Sequence, residues 1–188
     1  DLQEDINIRK NLHLKKEIDL LKSQADRSKN ILLTLSKNPE NLKDSFLNKT
    51  TISNIVKLIF DKFNNKKINL NLFYKTKGAE PQIYFKDELF YCIGNILQNS
   101  IQHAKINVNV YIDWKKNVLL VTIIDDGIGF RNEIFDQIGK PYISKKETGM
   151  GLGIFIAKNL IENIGGSISF YNDEKLGAKV EIKILHDN

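Results

Sequence analysis

Near the start of the chain, one row of positions recurs in alternating steps of four and three: Leu14, Ile18, Leu21, Ala25, Ser28, Leu32 and Leu35. Residues 2 to about 37 hold no glycine or proline, so this spacing predicts one long helix with a coiled-coil-like seam. Lys15, Lys16, Glu17 and Asp26 fall off the seam, while Ile31 and Leu33 widen the apolar face to that of a bundle helix. A lone helix cannot bury such a stripe, so the pattern calls for a partner helix. The Asn38–Pro39 break within NPENLKDSF ends it. It divides an appendage, residues 1–46, from a domain, residues 47–188.

Within the domain the period changes from element to element. Thr51–Phe63 reads as a helix, INLNLFYK (68–75) alternates like a strand, and a further helix fits from about Asp87 to Ala104. INVNVYIDW and VLLVTIID are strands rich in β-branched residues, separated by a Lys-Lys-Asn turn. A polar, irregular stretch runs to Gly149, followed by a helix from Leu152 to about Asn163. SISFYN and AKVEIKIL close the chain as two strands around a turn at Gly177. Helices mixed with antiparallel hairpins, and no repeated βαβ unit, predict an α+β fold. It is a two-layer sandwich, a mixed sheet covered by helices, preceded by the one long helix.

Composition narrows the function classes. Of the 188 residues 41% are hydrophobic and 27% charged, the balance of a soluble globular protein. The net charge of +5 is scattered, with no arginine-rich block and no basic stripe interleaved with aromatics, so nucleic acid is not an expected partner. The single cysteine, Cys92, excludes an internal disulfide framework and reads as a buried, inert thiol. No apolar run approaches a membrane span and no signal-peptide pattern opens the chain, so no membrane contact is expected of it. The first residue is Asp1 and the only methionine is Met150, which reads as a piece of something longer.

Three local patterns carry candidate chemistry. Asn95 and Asn99 stand four apart on a helix, so their amides share a face that Gln102 and His103 extend. Such a face suits plain solvent exposure; its carbonyl oxygens also suit Mg²⁺ when a nucleotide's phosphates supply the charge. In DDGIG, Asp125 follows the apolar run VLLVTII and stands where a buried strand emerges. Asp-Gly is a common turn dipeptide, but a carboxylate on a pocket floor can also accept from an exocyclic amine. Gly127 and Gly129 would then let a flat base lie against bare backbone. In GMGLG, glycines 149, 151 and 153 alternate directly before a helix. They fit a glycine-rich capping turn, and equally an anion held on the first amides of the helix.

Taken together and in this order, the motifs resemble those of the catalytic, ATP-binding domain of bacterial sensor histidine kinases. That domain belongs to a superfamily shared with gyrase, Hsp90 and MutL. The matching set is N-x-x-x-N at Asn95 and Asn99, D-x-G-x-G from Asp125 to Gly129, and G-x-G-L-G from Gly149 to Gly153, over roughly residues 50 to 188. The resemblance implies ATP and Mg²⁺ as cofactors. It implies that Asn99 holds the metal with help from Asn95, and that Asp125 accepts from the adenine amine above Gly127 and Gly129. Gly149, Gly151, Leu152 and Gly153 would leave room for the triphosphate, and residues 130–148 would form the lid. Lys145 or Lys146 would reach the terminal phosphate from the lid. His103 stands where the family often has an aromatic residue, and Gln102 replaces a frequent lysine. Ala178 replaces a common threonine, so a hydroxyl contact near the base is not expected.

The first motif separates relatives. Gyrase-like ATPases and anti-sigma serine kinases carry glutamate as the base where this chain has Asn95. A histidine nucleophile needs no strong base. The pattern therefore favours a histidine kinase over a water-splitting ATPase, with a nucleotide-binding signalling module as the alternative. DLLKSQADRSKNIL, residues 19–32, is similar to the second bundle helix of RegB-type redox-responsive kinases, with Ser28 where that subgroup typically has cysteine. Of the three histidines, His13, His103 and His186, none has an acceptor's flanking acidic residue and proline, so the acceptor is expected upstream. The resemblance further implies a homodimer through the first helix, a response regulator as partner, and a cytoplasmic position in a membrane-anchored sensor.

Overall fold

The computed structural model describes residues 49–63, 67–141 and 152–186. The long first helix, its boundary at residue 46, Lys145, Lys146, Gly149 and Gly151 lie outside the described residues. The described elements are β1 (Lys49–Thr50), α1 (Ile52–Lys62), β2 (Asn69–Tyr74), β3 (Ile83–Tyr84), α2 (Asp87–His103), β4 (Asn107–Lys115) and β5 (Val118–Asp125). A 3-10 helix (Asn132–Gln137), α3 (Gly153–Asn163), β6 (Ser167–Asn172) and β7 (Ala178–Leu185) follow.

Five strands form one sheet in the order β2-β4-β5-β7-β6. Only β2 and β4 pair in parallel, with α2 in the connection between them; the other three pairings are antiparallel. The sheet is therefore mixed, as the pattern of elements predicts. Alternation decides which face is buried. Val108, Val110 and Ile112 of β4 pack with Leu119, Val121 and Ile123 of β5 and Val180, Ile182 and Ile184 of β7. The helices close that face with Ile52, Ile55, Val56 and Ile59 of α1 and Ala157 and Ile161 of α3.

The central helix of this layer is α2. Leu89, Cys92, Ile93, Ile96, Leu97 and Ser100 fall at helical spacing and are all buried. Asp87 and Glu88 in its first turn complement the positive end of the helix dipole. Burial pushes the Cys92 thiol up to about 12, which makes it an inert core group. At the start of α1, the Thr51 hydroxyl accepts from the Asn54 N–H at 3.3 Å. The Ser53 N–H there donates to Glu80 Oε1 at 2.9 Å.

Among the described residues, the helices and longer strands fall within about two residues of their sequence-based positions. Three elements go unannounced by the pattern. β1 and β3 pair antiparallel through only Lys49–Tyr84 and Thr50–Ile83, too few residues to show a period. The 3-10 helix sits inside the stretch expected to be irregular. Among the described residues no helix is long and apolar enough to cross a membrane.

Candidate functional site

Asp125 is the last residue of β5, on the same inward face as Val121 and Ile123, and it is 1% exposed. The strand runs out of the core at this point, which places a carboxylate at the end of an apolar wall. Its Oδ1 accepts from the Gly127 N–H at 2.9 Å and from the Ala178 N–H at 3.2 Å. The Gly177 N–H donates to the Asp125 main-chain oxygen at 2.8 Å, so β7 begins by gripping both parts of one residue. Oδ2 is equally buried and meets no partner.

Burial raises the Asp125 carboxyl above its ordinary 3.8. The two backbone hydrogen bonds and the nearby His103 oppose that rise, and Asp126 adds to it. A buried carboxylate oxygen without a donor is costly, so a ligand that brings one gains what the fold leaves unmade.

Two glycines make this packing possible. A Cβ on Gly177 would lie 2.5 Å from Asp125 Oδ1 and 2.7 Å and 2.8 Å from the Gly127 nitrogen and oxygen. A Cβ on Gly127 would lie 2.8 Å from Asp125 Oδ1 and would strike the His103 carbonyl. The loop after β5, the start of β7 and the end of α2 therefore meet backbone to backbone. Gly129 has φ 76°, and a Cβ there would lie 2.6 Å from Asn172 Oδ1.

The adjacent aspartate has a different task. Asp126 accepts from the N–H groups of Lys105, Ile106 and Asn107, and from Asn107 Nδ2 at 3.3 Å. It fastens the turn between α2 and β4 to the end of β5. Desolvation would raise its carboxyl, but these hydrogen bonds win and hold it below 3.8.

On α2, Asn95, Asn99 and His103 follow one another at steps of four, so they share one edge of the helix. Asn95 Nδ2 donates to the Tyr91 carbonyl at 2.9 Å, which leaves the amide oxygen as the end not engaged with the helix. Asn95 and Asn99 are partly exposed and His103 is exposed. Among the described residues no cluster of three or more His, Cys, Asp or Glu could hold a metal ion. Any divalent ion here would depend on amide oxygens and on the anion it accompanies.

The N-terminus of α3 completes the set. It begins at Gly153, with Leu152 as its cap residue, no side-chain cap and no acid in the first turn. Its first amides and dipole suit an anion. α3 packs against α2, so this terminus and the asparagine edge belong to neighbouring helices.

Two contributors escape sequence reasoning. Ala178 drew notice only for the hydroxyl it lacks, yet its main-chain N–H holds Asp125. Asn172 bonds both main-chain groups of Phe130, and nothing in the composition of β6 signals that.

Comparison with known proteins identifies the family. The family described as histidine kinase-, DNA gyrase B-, and HSP90-like ATPase matches residues 85–188. Sensor histidine kinase RegB of Cereibacter sphaeroides is 26% identical over 195 residues, which cover 90% of this chain and 42% of RegB. Sporulation kinase B of Bacillus subtilis is 26% identical over 89% of this chain and 40% of its own length. The chain thus spans less than half the length of these relatives. The catalytic domain of histidine kinase ThkA superposes with a TM-score of 0.64 at 18% identity, over 73% of this chain and 94% of that domain, and so shares the fold.

Proposed function

The chain belongs to the histidine kinase-, DNA gyrase B- and HSP90-like ATPases, and from that premise we propose that its domain is the ATP-binding catalytic part of a sensor histidine kinase. One observation carries the reading at the level of atoms. Asp125 Oδ2 is buried and unpartnered at the mouth of β5, which suits it to accept from the exocyclic amine of adenine. Gly127 and Gly177 bring bare backbone up to that carboxylate, where a Cβ would clash with its Oδ1.

The remaining roles follow from chemistry. Asn99, assisted by Asn95, would offer amide oxygens to Mg²⁺, which neutralises phosphate charge when bound. Gly149, Gly151, Leu152 and Gly153 would receive the triphosphate at the start of α3, and Lys145 would meet the terminal phosphate. His103 would stand beside the nucleotide. A carboxamide at position 95 cannot take a proton, so it does not activate water; transfer to an imidazole needs no such base. Catalysis then rests on positioning and charge neutralisation. In the parent protein we place a membrane-anchored homodimer, paired through the first helix and serving a response regulator.

The test compares this chain with one extended at its N-terminus, each incubated with radiolabelled Mg-ATP. The acceptor is none of His13, His103 and His186, so this chain should bind ATP and stay unlabelled. The extended chain should gain an acid-labile, base-stable phosphate. Label on the present chain that is lost in His13→Ala would contradict the assignment of the acceptor. An extended chain that binds ATP and never takes label would favour a nucleotide-binding module without phosphotransfer.

A further inference from the structure

Asn172, the last residue of β6, does with one side chain what a neighbouring strand would do with its backbone. Its Oδ1 accepts from the Phe130 N–H at 2.7 Å, and its Nδ2 donates to the Phe130 carbonyl at 2.8 Å. Gly129, at φ 76°, turns the chain into this grip, and any larger residue would meet Asn172 Oδ1. The Phe130 ring packs edge-on against Phe135 and Phe170, with centroids 6.2 Å and 5.9 Å away. At the other end of the same loop, the Gly127 N–H is held by Asp125 Oδ1. Residues 127 to 130 are therefore clamped at both ends, by Asp125 at one and by Asn172 at the other.

We propose that Asn172 is a positioning residue of the nucleotide site. It acts through the Phe130 main chain, holding the loop in the conformation that leaves Asp125 Oδ2 unpartnered and fixing where the following segment departs. Without it, the Phe130 N–H and carbonyl lose partners the loop cannot replace, and the glycine-rich loop gains freedom that a ligand must remove on binding. This inference rests on the reading of Asp125 as the acceptor for the base.

Four proteins test it: the wild type, Asn172→Ala, Asn172→Asp and Thr76→Ala. Thr76 also bonds across strands, to the Trp114 N–H and carbonyl, but at the far end of β4. It controls for general loss of stability. In Asn172→Ala, amide exchange at Phe130 should accelerate and Mg-ATP affinity should fall at least ~10-fold, the scale of two lost hydrogen bonds. Thr76→Ala should keep the wild-type affinity. Asn172→Asp keeps an acceptor for the Phe130 N–H but sets a carboxylate oxygen against the Phe130 carbonyl in place of the donor, so exchange should accelerate and affinity should fall here too; it carries the test if the alanine variant unfolds. Faster exchange with unchanged affinity would make Asn172 merely structural and overturn the proposal. Unchanged exchange at Phe130 would overturn the clamp itself. A wild type that does not bind ATP would instead overturn the nucleotide reading, before any variant is measured.

Discussion

The Ala178 N–H donates to Asp125 Oδ1 across 53 residues of sequence, tying the first residue of β7 to the last of β5. That bond and the one from Gly127 use a single oxygen of the carboxylate and leave the other buried and unpaired. The fold thus holds Asp125 rigidly while leaving one hydrogen-bonding position unmade. A main-chain donor does this, so the alanine at 178 does not weaken the grip.

The close approach around that carboxylate makes Gly177 irreplaceable. Gly177→Ala forces a methyl group against Asp125 Oδ1 and the Gly127 backbone, and overpacking of this kind costs about 1–3 kcal/mol. Denaturant unfolding should show that loss, and ATP titration should show weaker binding, because the displaced atoms belong to the carboxylate. A variant with wild-type stability and affinity would show that the backbone yields without cost.

The two neighbouring aspartates should respond to acid in opposite directions. Asp125 is raised above 3.8, so the fold disfavours its charged form, and protonating it as pH falls through the raised value adds stability. Asp126 is lowered below 3.8, so its contribution is present above the ordinary value and is lost as pH falls through the lowered one. Asp126→Ala should cost about 1 kcal/mol at neutral pH, a small figure because solvent screens this partly exposed group. Asp125→Asn should raise the stability of the nucleotide-free protein at neutral pH. ATP affinity should also fall as Asp125 protonates, because an amine donor prefers the carboxylate. Unfolding curves and titrations from neutral pH down to below 3.8 check both signs.

Much of this was legible from spacing alone. The inward rows of β4, β5 and β7 and the buried face of α2 follow periods that any half-buried element must show. The ordered motifs identified the family, and the RegB and sporulation kinase relationships bear out that resemblance. Local pattern could not give the pairings that depend on distant chain. β1 and β3 are too short for periodicity and exist because each finds the other. The motif marks Gly129 for the base, but not that its positive φ also meets Asn172, a contact made 42 residues later in the chain. The donors that hold Asp125 are backbone N–H groups, which every residue but proline carries and no motif can single out.

On α2 the asparagine edge makes its own prediction. Asn99→Ala should abolish most of the Mg²⁺ dependence of ATP binding while leaving thermal unfolding close to wild type, because Asn99 is partly exposed and outside the core. Titrations with and without Mg²⁺ check this. A variant that keeps the full metal response would remove Asn99 from the metal's ligands.

Adenine recognition by Asp125 is tested most directly by calorimetric titration of the wild-type chain with Mg-ATP and Mg-GTP under one set of conditions, repeated with Asp125→Asn. Guanine presents an oxygen where adenine presents its amine, so it offers a second acceptor to a carboxylate that needs a donor. The wild type should bind ATP at least ~10-fold more tightly than GTP. Asp125→Asn should weaken ATP by roughly 1.5–3 kcal/mol, the scale of a hydrogen bond to a charged group. Equal affinity for the two nucleotides, or an Asp125→Asn variant that binds ATP like the wild type, would contradict the assignment of Asp125 to the base.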